Sequence, residues 1–465
     1  MTRIVVLGGG PGGYEAALVA AQLGAEITVV DSDGIGGSAV LTDCVPSKTL
    51  IATAEAAWNA AESRRLGVKV RSSGEELGPS AFGVDLSRVN NRVKALAQAQ
   101  SVDIHNRLVT AGVRVLSGRG RLLSPDAVLA ECHDGSEEEL PADAILVATG
   151  ARPRVLPDAM PDGERILTWT QVYGLSEMPE HLIVVGSGVT GAEFASAYNF
   201  GTNVTLVSSR DRVLPGEDAD AASVLENAFR RRGMNIRSQS RAKRVTREGD
   251  VVHVELSDGE VLTGSHVLMA VGSVPNTEYI GLEEAGVRLN SGGFVEVDRV
   301  SRTSVRGIYA AGDCTGVLML ASVAAHQGRI AMQHALGDAV RPLNLNAVAA
   351  NVFTEPEIAT VGVSQDDVDR GEVAARAVML PLSTNARAKM QGVRDGFVKL
   401  FCLPGTGIII GGVVVAPRAS ELIFPVALAV DAQLSADQIA HAFTVYPSMT
   451  GSIAEAGRLL HLPPS

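Results

Sequence analysis

The sequence predicts an α/β protein built from two doubly wound, parallel-sheet units followed by a smaller mixed α+β region. Three observations carry that prediction. Short apolar runs lead into glycine-rich turns and then into Ala-rich helical stretches. The whole strand–helix–strand pattern occurs twice, its first glycines at Gly8 and Gly186, 178 positions apart (186 − 8). From about residue 344 the pattern changes to strands such as GFVKLFC (396–402) and GIIIGGVVVAP (407–417) among brief helical stretches.

The opening RIVVLG reads as a parallel strand, because a strand covered on both faces shows a near-continuous apolar run. It enters GGGPGGYEAALVAAQLG, where glycines give way to a helix, and EITVVD closes a unit of roughly 30 residues. HLIVVG, SGVTGAEFASAYNFG and TNVTLVS repeat that order over 181–208. Between the copies, DAILVATGARPR (143–154) reads as a strand meeting a Gly-Ala-Arg-Pro turn, a domain boundary. SHVLMAVGSVPNT (265–277) repeats this at the end of the second copy, and GIYAAGD (307–313) is a further buried strand stopped by an acid.

Composition narrows the class. A chain of 465 residues predicts two to four domains, and 46% hydrophobic with 20% charged residues supports large cores rather than disorder. Lys plus Arg number 40 against 52 Asp plus Glu, a net charge of −12, and aromatics are only 4%. That argues against a nucleic-acid surface, which needs a basic track and stacking rings. No apolar stretch approaches the roughly 20 residues of a membrane span, and MTRIVVLGGG runs directly into a strand rather than forming a signal peptide. Cys44, Cys132, Cys314 and Cys402 lie far apart, and neither they nor the nine histidines have metal-ligand spacing. The expectation is a cytoplasmic protein with no resident metal.

Gly8, Gly10 and Gly13 form G-x-G-x-x-G between strand and helix. The first glycine permits the tight turn, the second a close approach of backbone to pyrophosphate, the third close helix–strand packing. The helix start offers unpaired N–H groups to phosphate. Asp31, 21 residues after Gly10, ends the second strand, where a carboxylate accepts bonds from a ribose. Gly186, Gly188 and Gly191 repeat the fingerprint, but the acidic slot about 20 residues on is Ser208, followed by Ser209, Arg210 and Arg212. Small hydroxyls and a guanidinium suit a ribose 2′-phosphate, so the second site is expected to prefer NADPH or to use NADPH and NADH alike.

With these motifs in place the chain resembles the flavoprotein pyridine nucleotide-disulfide oxidoreductases over essentially its whole length. The matching segments are GGGPGGYEAAL, GGSAVLTDCVPSK, ATGARP, GSGVTGAEF, VGSVPNT, GIYAAGD, VFTEPEIATVG and VYPSMTGS, in the family's order. The resemblance implies two Rossmann-like dinucleotide-binding domains, for FAD and NAD(P), and a C-terminal α+β dimerisation domain. It implies boundaries at 1–150 and 276–343 for FAD, 151–275 for NAD(P) and 344–465 for dimerisation. It further implies that Asp31 holds the FAD adenosine ribose and Asp313 its ribityl region, and that Gly37, Ser38, Gly120, Thr149, Gly150 and Ala321 line the flavin nucleotide. Lys48 would stand near the reactive flavin nitrogen, paired with Glu193. Gly272 would join Gly186, Gly188, Gly191 and Glu193 at NAD(P). The active site would borrow residues from the partner in a homodimer.

The departures from the family carry the functional reading. Disulfide reductases have two cysteines in GGTCLNVGCIPSK, whereas here the first is Ala39 and only Cys44 remains. A dithiol relay needs two thiols, one to attack and one to resolve the mixed disulfide. The family's His–Glu pair near the C-terminus is likewise gone, with Tyr446 in the histidine slot and Gly451 in the glutamate slot. What survives is hydride transfer from NAD(P)H to FAD and then to a quinone-type acceptor, with Lys48, Glu193, Cys44 and the partner's Tyr446 as candidate catalytic residues. Cys44, placed at a predicted helix start, is either a thiolate steadied by the helix dipole or a small apolar remnant of the lost relay. Two alternatives stand beside the quinone reductase: a soluble NAD(P) transhydrogenase, and a non-catalytic flavoprotein acting as a binding subunit or NADPH sensor.

Overall fold

The computed structural model describes residues 1–69 and 82–461. By packing they fall into two compact units: Met1–Ser47, Asn90–Arg154 and Gly272–Asn344 form the first, and the remaining segments, from Lys48 onward, the second.

The first unit is built on a seven-stranded sheet in the order Ile308–Ala310, Ala144–Val147, Arg3–Leu7, Glu26–Asp31, Arg114–Ser124, Ala127–Cys132, Glu137–Pro141. Its first five strands are parallel, with Ile4 registered against both Ile27 and Ala144. The last two turn back as an antiparallel meander. Alternate residues explain the unbroken apolar runs. Ile4, Val6, Val29 and Leu146 face a core shared with Ala16, Ala17 and Ala20 of the helix Pro11–Gln22 and with Ala331 and Met332 of the helix Ala321–Ala335. Val5, Leu7, Val30, Ile145 and Val147 face the opposite core under Val128, Leu140 and Leu282. Each such side chain contributes roughly 1.5–3 kcal/mol by burial. The two helices pack closely enough that a Cβ on Gly328 would overlap the carbonyl oxygen of Gly12, and Arg329 reaches Glu15 at 3.0 Å.

In the second unit a parallel sheet runs Asn235–Arg237, Asn203–Val207, His181–Val185, His266–Met269, Ile166–Thr168. The helices Val189–Tyr198 and Ala219–Arg231 connect its strands, and a three-stranded antiparallel ribbon covers the core around Ile183, Val207, Val252 and Val267. The C-terminal part is a five-stranded antiparallel sheet ordered Ala349–Val352, Glu357–Gly362, Ile409–Ala416, Phe397–Cys402, Arg376–Pro381. The strand Phe397–Cys402 is buried throughout, Lys399 included. Its ammonium is paired at 2.7 Å with Asp218 and 2.6 Å with Asp220, and Asp218 also caps the helix Ala219–Arg231. Buried charge is tolerated here because it is matched and hydrogen-bonded. Among the described residues no helix is long and apolar enough to cross a membrane.

Candidate functional site

The sheet of the first unit ends in a cavity of about 810 Å³ at the C-terminal ends of its parallel strands, where open α/β sheets bind ligands. Gly8, Gly10, Asp31, Gly37, Ser38, Ala39, Cys44, Gly120, Thr149, Gly150, Asp313 and Ala321 all line it, brought together from eight segments of chain. Gly13 lies beneath the loop. Gly8 has φ +103°, and a Cβ there would overlap the carbonyl oxygen of Ala148; a Cβ on Gly13 would overlap that of Gly8. A Cβ on Gly10 would meet only the Cα of Gly37, at 3.9 Å, so the backbone is open to an incoming phosphate. Gly10 caps the helix Pro11–Gln22 and Pro11 opens it; the amides of Gly13 and Tyr14 donate to Gly10 O, so the helix start offers a phosphate the amide of Gly12.

The carboxylate of Asp31 is held from three sides. It accepts from the N–H of Gly9 at 2.6 Å, of Asp33 at 3.0 Å and of Gly34 at 2.5 Å. Burial nevertheless pushes its carboxyl above the ordinary range, those three bonds pulling the other way. Asp313 is driven up to about 6, first by burial and then by the charge of Asp43. Thr149 and Asn276 are tied reciprocally, Thr149 Oγ1 donating to Asn276 O at 2.7 Å and Asn276 Nδ2 to Thr149 O at 2.9 Å. Cys44 is the first residue of the helix Cys44–Glu62, the helix start that its setting before Pro46 predicts. None of the four cysteines is in a disulfide; Cys314 is buried and its Sγ points to the carbonyls of Ala311 and Val147.

The second unit repeats the glycine loop. Gly186 has φ +110°, a Cβ on it would overlap the carbonyl oxygen of Ala270, and a Cβ on Gly191 that of Gly186, while nothing lies within 4 Å of a Cβ on Gly188. Ser208 is fully buried, and its hydroxyl is engaged inside the turn. It bonds Ser187 Oγ at 2.7 Å, accepts from Arg210 N at 3.1 Å and lies near the carbonyls of Arg210 and Arg212. Ser209 and Arg210 are left exposed, and Arg212 Nε is buried with no hydrogen-bond partner among the described residues. On the helix Val189–Tyr198, Glu193 is 3% exposed; Lys48 Nζ donates to its Oε2 at 2.7 Å and Phe353 N to its Oε1 at 2.9 Å. The ammonium also stands 4.9 Å from the centre of the Phe353 ring.

Gly272 and Tyr446 fall in different units. Gly272 belongs to the first unit, its carbonyl accepting from Arg154 N. Tyr446 belongs to the second unit and is 87% exposed, beside the exposed Phe443 and Val445. Sequence reading passed over Asp43, Arg119, Arg121, Arg152 and Tyr279, all on the first cavity, and Ser187 and Phe353 in the second unit. The acid immediately before Cys44 is a visible signal, and Ser187, Arg152 and Phe353 lie inside the quoted segments GSGVTGAEF, ATGARP and VFTEPEIATVG, whereas Arg119, Arg121 and Tyr279 lie outside them.

Two glycine loops of this construction in one chain define an oxidoreductase class that handles two dinucleotides. Residues 2–328 match the pyridine nucleotide-disulphide oxidoreductase family and residues 348–457 that family's dimerisation domain, and the chain belongs to this family. It is 56% identical, over 99% of its own length and 94% of the relative's, to an NAD(P)H dehydrogenase (quinone) of Mycobacterium tuberculosis strain H37Rv. A dihydrolipoyl dehydrogenase of Zymomonas mobilis is 33% identical, with 98% of each chain covered. Among solved structures, LpdA of M. tuberculosis superposes with a TM-score of 0.94 at 55% identity, covering 99% of this chain and 100% of that one.

Proposed function

We propose that this chain is an FAD-dependent NAD(P)H:quinone oxidoreductase that works without a redox-active disulfide. One observation carries the reading: the nucleotide cavity is lined by Ala39 and by Cys44 as its one cysteine, while Cys314 is turned into the core and Cys132 and Cys402 do not line the cavity. A dithiol relay cannot run there. The M. tuberculosis relative at 56% identity bears the corresponding name.

The first cavity fits FAD by its own chemistry: a glycine cradle closed to any Cβ, an open Gly10, and a carboxylate at Asp31 for ribose hydroxyls. When bound, FAD supplies a two-electron carrier between the nicotinamide and the acceptor. Gly8, Gly10, Gly13, Gly37, Ser38, Gly120, Thr149, Gly150 and Ala321 form its bed, and Asp313 takes the ribityl hydroxyls. Gly186, Gly188 and Gly191 take the NAD(P)H pyrophosphate. The exposed Ser209 and Arg210, with the unsatisfied Arg212 Nε, favour a 2′-phosphate, so NADPH is preferred and NADH accepted. Glu193 fixes the Lys48 ammonium, the pair that the family pattern assigns to flavin reduction. Residues 1–150 with 276–343, 151–275 and 344–465 serve as FAD, NAD(P) and dimerisation domains of a cytoplasmic homodimer, in which the partner's Tyr446 donates a hydrogen bond to a quinone oxygen.

Steady-state oxidation of NADPH with menadione, thio-NAD and lipoamide as alternative acceptors tests this. The expected result is a menadione kcat/KM above about 10⁴ M⁻¹ s⁻¹, the lower end of ordinary enzymes, with no lipoamide turnover. Lipoamide activity would overturn the reading, and fast thio-NAD reduction with slow menadione turnover would make the enzyme a transhydrogenase.

A further inference from the structure

Tyr279 stands on the rim of the FAD cavity in an unusual state. Its side chain is 97% exposed and its backbone is left-handed, with φ +60°. A bulky residue rarely adopts that conformation, and such strain gathers at ligand clamps. The backbone is not adrift. Asn276 N donates to Gly150 O at 3.0 Å, Thr277 Oγ1 to Gly293 O at 2.7 Å, Arg152 to Glu278 at 2.9 Å and Leu122 N to Ile280 O at 2.9 Å. Both sides of Tyr279 are therefore fastened, and the tyrosine is kept in the cavity lining with its side chain uncovered. That wall is the adenosine end. Asp31 registers with Ser117 on the neighbouring strand, and the next residues, Gly118 to Arg121, line the cavity up to the Leu122–Ile280 bond.

We propose that Tyr279 is an aromatic clamp whose ring stacks on the adenine half of bound FAD. Aromatic rings stack on any base, and glycine would fit φ +60° without strain, so the ring is what this position offers. The inference rests on the FAD reading above.

The holoenzyme tests it. On dilution, release of FAD is followed by the rise of free-flavin fluorescence. Tyr279→Phe is expected to release FAD within about twofold of the parent rate. Tyr279→Ala is expected to release it about tenfold to a hundredfold faster, the range of base–aromatic stacking. Tyr279→Gly suits the left-handed backbone, keeps the fold and should release FAD as fast as Tyr279→Ala. Release from both the Ala and Gly variants within twofold of the parent would overturn the clamp while leaving the FAD reading intact. A parent protein that purifies without flavin and takes up none would instead remove the FAD reading itself.

Discussion

The two glycine loops are the same device with different endings. In each, the amide of the first glycine donates to a carbonyl at the end of the following strand, that of Val30, the last residue but one, at 2.8 Å for Gly8 and that of Val207, the last residue, at 3.0 Å for Gly186. The next residue is Asp31 in one and Ser208 in the other. Asp31 turns its carboxylate back onto the loop, bonding Gly9 N; Ser208 turns its hydroxyl onto Ser187, the residue equivalent to Gly9. One loop therefore ends in a carboxylate turned back onto the glycine turn. The other ends in a neutral, buried hydroxyl pair followed by exposed Ser209 and Arg210. The glycine geometry is common to both loops, and on the proposed reading the residue at the strand end selects the nucleotide.

The largest effects should come from what the loops share. Gly13→Ala drives a methyl into the carbonyl oxygen of Gly8, and Gly191→Ala does the same to Gly186. Backbone cannot yield as a side chain would, so each change should cost more than about 3 kcal/mol of loop stability. Gly13→Ala should purify colourless. Gly191→Ala should stay yellow, with flavin reduction by NADPH slowed more than about a hundredfold in stopped-flow. Loss of flavin from Gly191→Ala as well would break the independence of the loops.

The first cavity also hides an acid that the second loop lacks. Asp313 has its folded carboxyl raised to about 6. A raised acid is held protonated in the folded state while the unfolded chain ionises, so stability falls as pH rises from about 4 to 6 and stays lowered above. At about 1.4 kcal/mol per unit, flavin-free Asp313→Asn should be more stable than the parent by roughly 2–3 kcal/mol at pH 7, with no difference below pH 4. Urea titrations across that range measure the gap; a constant gap would place the origin elsewhere than Asp313.

Much of this comparison was legible in the chain. The strands Arg3–Leu7, Glu26–Asp31, His181–Val185 and Asn203–Val207 lie where the apolar runs predict them, because parallel strands buried on both faces leave uninterrupted signals. Gly8 and Gly186 are legible because positive φ and backbone crowding admit nothing else. The inward turn of Ser208 was not, since the direction of one hydroxyl depends on Ser187, 21 residues away. Nor were Tyr279 or the coupling of Asp43 to Asp313, which depend on contacts that sequence spacing does not encode.

The double variant Ser187→Gly with Ser208→Asp rewrites the second loop in the pattern of the first. A carboxylate bonded to residue 187 N, as Asp31 is to Gly9, would accept from a bare ribose and repel a 2′-phosphate. The ratio of kcat/KM for NADPH over NADH should fall by about tenfold or more, a change of about 1.4 kcal/mol. An unchanged ratio would mean that the strand-end residue does not select the cofactor.

Arg210→Ala is the gentlest change and separates the two parts of the second loop's ending. Its guanidinium is exposed, and its backbone N–H and carbonyl are already held by Ser208 and Gln239, so removing the side chain leaves the turn intact. An exposed ion pair with phosphate is worth up to about 1 kcal/mol in water. NADPH KM should therefore rise several-fold with kcat unchanged, and NADH KM should not move. The effect on NADPH should also shrink as ionic strength rises from 20 to about 300 mM, because the screening length around an exposed charge falls from roughly 20 Å to about 6 Å over that range. Equal increases for both nucleotides would assign Arg210 to the shared pyrophosphate rather than to the 2′-phosphate, and selection would then fall to Ser209 and Arg212.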